Sequence, residues 1–183
     1  MNGNAIGMLE LTSIAAGFAA GDAMLKAGNV RLLLSRSICS GKYMVLIGGE
    51  PAAVQSAVAA GTQAAHGCMI AELVIANLHA DVLAAIGRSN AGEPKGALGI
   101  VESFNVATLI EAADAAVKAA DVTLLDLRLA MALGGKAFAT FTGDVASVQD
   151  AVDAAKRVIS AAGVLVNSVV IARPHPDIYR EIF

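Results

Sequence analysis

Tryptophan is absent from this chain, which has only two tyrosines and five phenylalanines, so its core must be built from small aliphatic side chains. Cysteine is almost absent too. Cys39 and Cys68 are the only two, which excludes a disulfide framework and points to a reducing compartment. Charge is scarce at 16% of residues, with thirteen basic against sixteen acidic side chains and a net charge of −3. With no basic tail and no aromatic-basic patch, the chain is not expected to bind nucleic acid. The longest charge-free run, residues 51–71, contains Gln55, Ser56, Gln63, His66 and glycines, so it lacks the apolar density of a membrane span. The first residues, MNGNAIG, have neither a basic segment nor a long apolar core, and no signal peptide is expected there.

What is abundant is alanine. The chain is 56% hydrophobic with a mean hydropathy of +0.65. So apolar a surface on 183 residues is expected to be covered by other chains, and the sequence reads as an obligate oligomer.

The sequence is written twice. Residues 5–36 and 97–128 align at a constant offset of 92 with thirteen identities in 32 positions. These include Gly7/Gly99, Glu10/Glu102, Asp22/Asp114, Lys26/Lys118 and Arg36/Arg128. The offset grows to 94 at Gly41-Lys42/Gly135-Lys136, then to 96 at His79/His175. The first insertion falls in the loop that holds Cys39. Internal duplication fixes the organisation before any element is assigned: a first domain over residues 1–92 and a second over 93–183.

Each half predicts the order βαββαβ. In the first, a strand at 5–11 leads to a helix capped by Thr12 or Ser13 and closed near Gly28. Strands at 30–36 and 43–47 flank the Cys39 loop. Pro51 opens a second helix running to about Ala65, followed by a strand at 69–76. A short helix at 81–86 precedes the linker Gly87–Gly96. The second half repeats this without a final helix. The fold class is α/β: two tandem ferredoxin-like βαββαβ domains, each an antiparallel-rich sheet with helices on one face. Small residues along the helices allow close backbone approach.

The motifs AIGMLE and ALGIVE, DAMLKAGNV and DAAVKAADV, and the terminal ARPH together resemble the tandem-domain (trimeric) bacterial microcompartment shell proteins. The resemblance covers both halves. It implies BMC domains, three chains forming a flat pseudo-hexameric tile, and a pore on the threefold axis. The order of elements is similar to the non-permuted subgroup. Within it, the propanediol-utilisation type has a pore loop reading Ile-Cys-Pro-Gly and an iron–sulfur cluster in its pore; Ile38-Cys39-Ser40-Gly41 differs from that by one residue. Ordinary hexameric shell proteins read Ile-Gly-Ser-Gly there.

The resemblance therefore implies a pore loop of Ser37, Ile38, Cys39, Ser40 and Gly41. Cys39 would be the metal- and cofactor-binding residue: one 4Fe-4S cluster per trimer, ligated by Cys39 from each subunit, for electron transfer or cluster delivery across the shell. A cyclic trimer turns one cysteine into three, whereas a cubane usually takes four thiolates. Arg36 and Lys42 flank the loop and could offset thiolate charge. Lys26, Lys118 and Arg173 would lie at the tile edge, with Asn77-Leu78 replacing the Arg-Pro pair in the first half. The partners implied are a homotrimer, other shell proteins edge to edge, and a lumen or cytosolic redox enzyme; the location implied is the microcompartment shell in the bacterial cytoplasm. Two alternatives stand beside this: a cluster-free tile whose pore passes small metabolites, and a small-molecule-binding trimer unrelated to a shell.

The remaining candidates have plainer readings. Cys68, at the start of an apolar strand, reads as core filler. Glu10 and Glu102 end first strands and read as structural hydrogen-bonding groups. Gly134-Gly135 lacks the rest of a phosphate-loop frame and reads as a turn. His66, His79 and His175 are dispersed. No paired acid and base, Ser/His/Asp set or nucleotide loop is present, so the chain is not expected to be an enzyme.

Overall fold

The computed structural model describes residues 3–87, 93–130 and 133–180. The elements run β1 (Ala5–Leu11), α1 (Ile14–Ala27), β2 (Val30–Ile38), β3 (Lys42–Gly49), α2 (Pro51–Ala64), β4 (Met69–Ile75) and α3 (Ala80–Ile86). They continue with β5 (Ala97–Ser103), α4 (Val106–Ala119), β6 (Thr123–Arg128), β7 (Ala137–Gly143), α5 (Val145–Ala161), β8 (Leu165–Ile171) and α6 (Pro176–Arg180). The central part of the linker, 88–92, lies outside the described residues.

The two sheets have one topology, β2-β3-β1-β4 and β6-β7-β5-β8, with every strand pair antiparallel. In the first, α1 and α2 pack on each other and on the sheet over Leu9, Leu11, Met24, Val45, Ile47 and Val54, all fully buried. One reason for the repeated Gly7/Gly99 is steric. A Cβ at Gly7 would sit 2.5 Å from Val58 Cγ2 on α2, and one at Gly99 would sit 2.6 Å from Val152 Cγ2 on α5. The helices lie that close because the strand positions beneath them have no side chain.

Ser13 is the N-cap of α1, accepting from the Ala16 N–H, and Asn105 does the same for α4 with Thr108. Gly28 closes α1 as expected, but with extended backbone (φ −154°) rather than in the left-handed form. A Cβ there would meet the Ala53 carbonyl oxygen at 2.7 Å, so closeness to α2, rather than dihedral freedom, requires the glycine.

Two features depart from the sequence reading. The second half does have a final helix, α6, whose first turn is capped by His175 Nδ1 accepting from the Asp177 N–H. The chain's compact units also divide at Leu78/His79 and not in the linker at 92/93. Helix α3, although it follows the first repeat, packs on β6 and α4 in the second unit, and the His79 N–H donates to Asp114 Oδ1 at 2.8 Å. In exchange, residues 133–135 belong to the first unit.

Candidate pore site

The β2–β3 hairpin carries Cys39. Beyond a register shift between Leu32 and Leu34, its strands pair continuously to Ile38 opposite Lys42, leaving Cys39-Ser40-Gly41 as a three-residue loop wound into a single 3-10 turn. Ser40 (φ 66°) and Gly41 (φ 71°) are both left-handed. A Cβ on Gly41 would meet nothing within 4 Å, so the turn's dihedrals alone favour glycine there. Ser40 itself takes the strained conformation.

Ile38 is buried and anchors the end of β2; Ser37, Ser40 and Gly41 are exposed, and Cys39 is half-buried. The Cys39 Sγ accepts a hydrogen bond from the Leu133 N–H at 3.2 Å. Ser40 Oγ stands 3.2 Å from where a Cβ on Gly135 would be. The insertion of the second repeat thus lies against the cysteine loop of the first unit, a contact that no spacing rule in the sequence announces. Gly134 and Gly135 form the expected turn there, both at positive φ. Met131, the counterpart of Cys39 at offset 92, lies outside the described residues.

Beneath the loop, Lys42 Nζ donates to Glu10 Oε1 at 2.9 Å, and the Glu10 side chain is fully buried. The expectation that Lys42 offsets thiolate charge is therefore replaced by one in which its charge is matched by Glu10. The second unit repeats the pair as Lys136–Glu102 at 3.2 Å, more exposed. Arg36 is half-buried on β2.

The other candidates lie on separate elements. Lys26 is exposed and pairs with Asp22 at 2.6 Å; Lys118 pairs with Asp114 at 2.5 Å. Arg173 is exposed just past β8. Leu78, where the second half has Pro174, is buried and donates its N–H to the Asn4 carbonyl. Cys68 departs from its reading as core filler. It precedes β4 and is only half-buried, because its place is fixed by the backbone: its carbonyl accepts from the Thr12 N–H at 2.8 Å. Among the described residues, no group of three His, Cys, Asp or Glu side chains within one chain could hold a metal ion, and no helix is long and apolar enough to cross a membrane.

The model of the BMC domain matches the chain twice, over residues 5–78 and 97–174. The chain belongs to the BMC-domain family of microcompartment shell proteins. Both family matches span the four strands of one sheet, so the duplicated sequence is a duplicated BMC domain. It is 48% identical over 97% of both chains to the bacterial microcompartment shell protein PduT of Citrobacter freundii. It is also 42% identical over 48% of its length to the microcompartment shell protein EutM of Salmonella typhimurium, covering 88% of that chain. Among solved structures, a microcompartment protein from Desulfitobacterium hafniense superposes with a TM-score of 0.89 at 46% identity, covering 96% of this chain and 98% of that one. These relatives are structural shell proteins, not enzymes, and the family sets aside a small-molecule-binding trimer unrelated to a shell.

Proposed function

We propose that this BMC-family shell protein assembles as a homotrimeric tile whose threefold pore is ringed by three Cys39 thiolates holding one 4Fe-4S cluster. The observation that supports this most is the place of Cys39: a half-buried residue at the tip of a tight hairpin, its sulfur accepting an amide hydrogen bond. An amide donor at sulfur favours the thiolate, the form that binds iron, and such hydrogen bonds tune cluster potentials. One cysteine cannot hold a cubane, but a threefold axis supplies three from one sequence position. The fourth iron is then left for a water, a small molecule or a partner group.

When bound, such a cluster supplies one-electron chemistry. The chain's own residues position the ligand. Ile38 buries the strand end, Gly41 and Ser40 set the turn, and the Leu133 N–H fixes the sulfur. Lys26, Lys118 and Arg173 are the edge residues in this reading, meeting neighbouring tiles, and a redox enzyme on either side of the shell is the electron partner.

The test is iron and acid-labile sulfide on protein purified without oxygen, beside Cys39→Ser. The reading predicts about four of each per trimer, absent in the variant while the trimer persists. Iron-free protein after reconstitution would instead make Cys39 a lining residue of a pore for small metabolites.

A further inference from the structure

The first unit has an open apolar groove of about 360 Å³ between α1 and β2, lined by Phe18, Asp22, Leu25, Leu32 and Tyr43 among others. Phe18 is 65% exposed and Leu32 42%. In the second unit the matching positions, Ile110 and Leu124, are 0% and 1% exposed. That unit has α3 packed on the corresponding elements, α4 and β6. Asp22 and Asp114 show the same contrast. Both pair with the lysine four residues on, but the Asp22 side chain is 62% exposed, whereas that of Asp114 is 10% exposed and takes the His79 N–H.

The element that fills the second groove has a duplicate of its own. At the offset of 96, α3 corresponds to α6, and the two begin alike. His79 Nδ1 accepts from the Asp81 N–H at 3.3 Å, and His175 Nδ1 accepts from the Asp177 N–H at 3.3 Å. Yet Val82 of α3 is fully buried, while its counterpart Ile178 of α6 is 48% exposed. One chain thus displays an empty groove and an unseated copy of the helix that fills the same groove in its other half.

We infer that α6 of a second copy seats in the α1–β2 groove of the first unit, with Ile178 packed against Phe18 and Leu32 and the His175 N–H donated to Asp22. The contact is head-to-tail, each copy giving a helix and receiving one, and in the homotrimer proposed above three such contacts make the ring. This inference rests on the homotrimer proposed above and names the residues that join its subunits.

Ile178→Glu and Leu32→Glu each place a charge in the contact, and both sites are exposed in the single chain, so each variant is expected to keep the wild-type circular dichroism. Sedimentation should show three chains for the wild type and single chains for each variant at micromolar concentration. Mixing the two variants restores one good helix and one good groove, so a two-chain species should form. Variants that stay trimeric would overturn this contact and leave the trimer standing, as would single chains that fail to pair on mixing. A wild type that is itself a single chain would overturn the homotrimer and this contact together.

Discussion

Lys42 and Glu10 form an ion pair at 2.9 Å in which the carboxylate is fully buried and the ammonium reaches it from the foot of the Cys39 loop. The duplicated chain keeps the pair as Lys136 and Glu102, but with the lysine 43% and the glutamate 30% exposed. Removing one partner of a buried pair strands a charge, which costs about 3–5 kcal/mol, whereas an exposed pair contributes about 0–1 kcal/mol. Lys42→Met is accordingly expected to destabilise by a few kcal/mol, and Lys136→Met by under about 1 kcal/mol. Urea unfolding of the two variants checks this; equal losses would contradict the burial difference.

The close approach of helix to strand predicts the next result. Gly7→Ala sets a methyl 2.5 Å from Val58 Cγ2, and overpacking of this kind costs about 1–3 kcal/mol. Val58→Ala in the same chain should return part of that loss, since the offending methyl is removed. A double variant no more stable than Gly7→Ala would show that the contact is not the source of the strain.

Asp144 caps α5, accepting from the Ala146 and Ser147 N–H groups and the Ser147 hydroxyl. These hydrogen bonds, the Ser147 amide first, hold its carboxyl below the usual 3.8. A folded-state pKa below the unfolded one gives stability that is present above the unfolded value and is lost as pH falls through the folded one. Asp144→Ala should therefore lower the thermal midpoint at neutral pH, and the gap to wild type should shrink below about pH 3.8. A gap independent of pH would rule out the carboxylate as the cause.

The edge reading of the lysines gives a different kind of expectation. Lys26→Ala and Lys118→Ala remove both ammonium groups at partly exposed positions without setting a carboxylate beside Asp22 or Asp114, and alanine suits a helix, so α1 and α4 are expected to persist. Trimers of the double variant are expected to form while extended sheets, seen by electron microscopy, are lost. Sheets that persist would move the tile edge elsewhere.

Much of this was legible because duplication doubles every signal. Gly7/Gly99, Asp22/Asp114 and Glu10/Glu102 are identities that the structure explains by close approach, lysine pairing and ion pairing in both halves. The βαββαβ order followed from caps and turn residues, and Pro51 opens α2 as read. What escaped was set by distant backbone. The donor to Cys39 is the amide of Leu133, 94 residues away, and a main-chain donor leaves no residue type to recognise. Helix α6 is only five residues long, with a cap from His175, a residue outside the usual capping set. The seat of α3 in the second unit was hidden because the sequence repeat and the compact unit end at different places.

The most direct test of the account is native mass spectrometry of protein purified without oxygen. It should give three chains plus the mass of one 4Fe-4S cluster, and three chains alone for Cys39→Ser. A three-chain species with no added mass, even after reconstitution with iron and sulfide, would contradict the cluster; a single-chain species would contradict the tile.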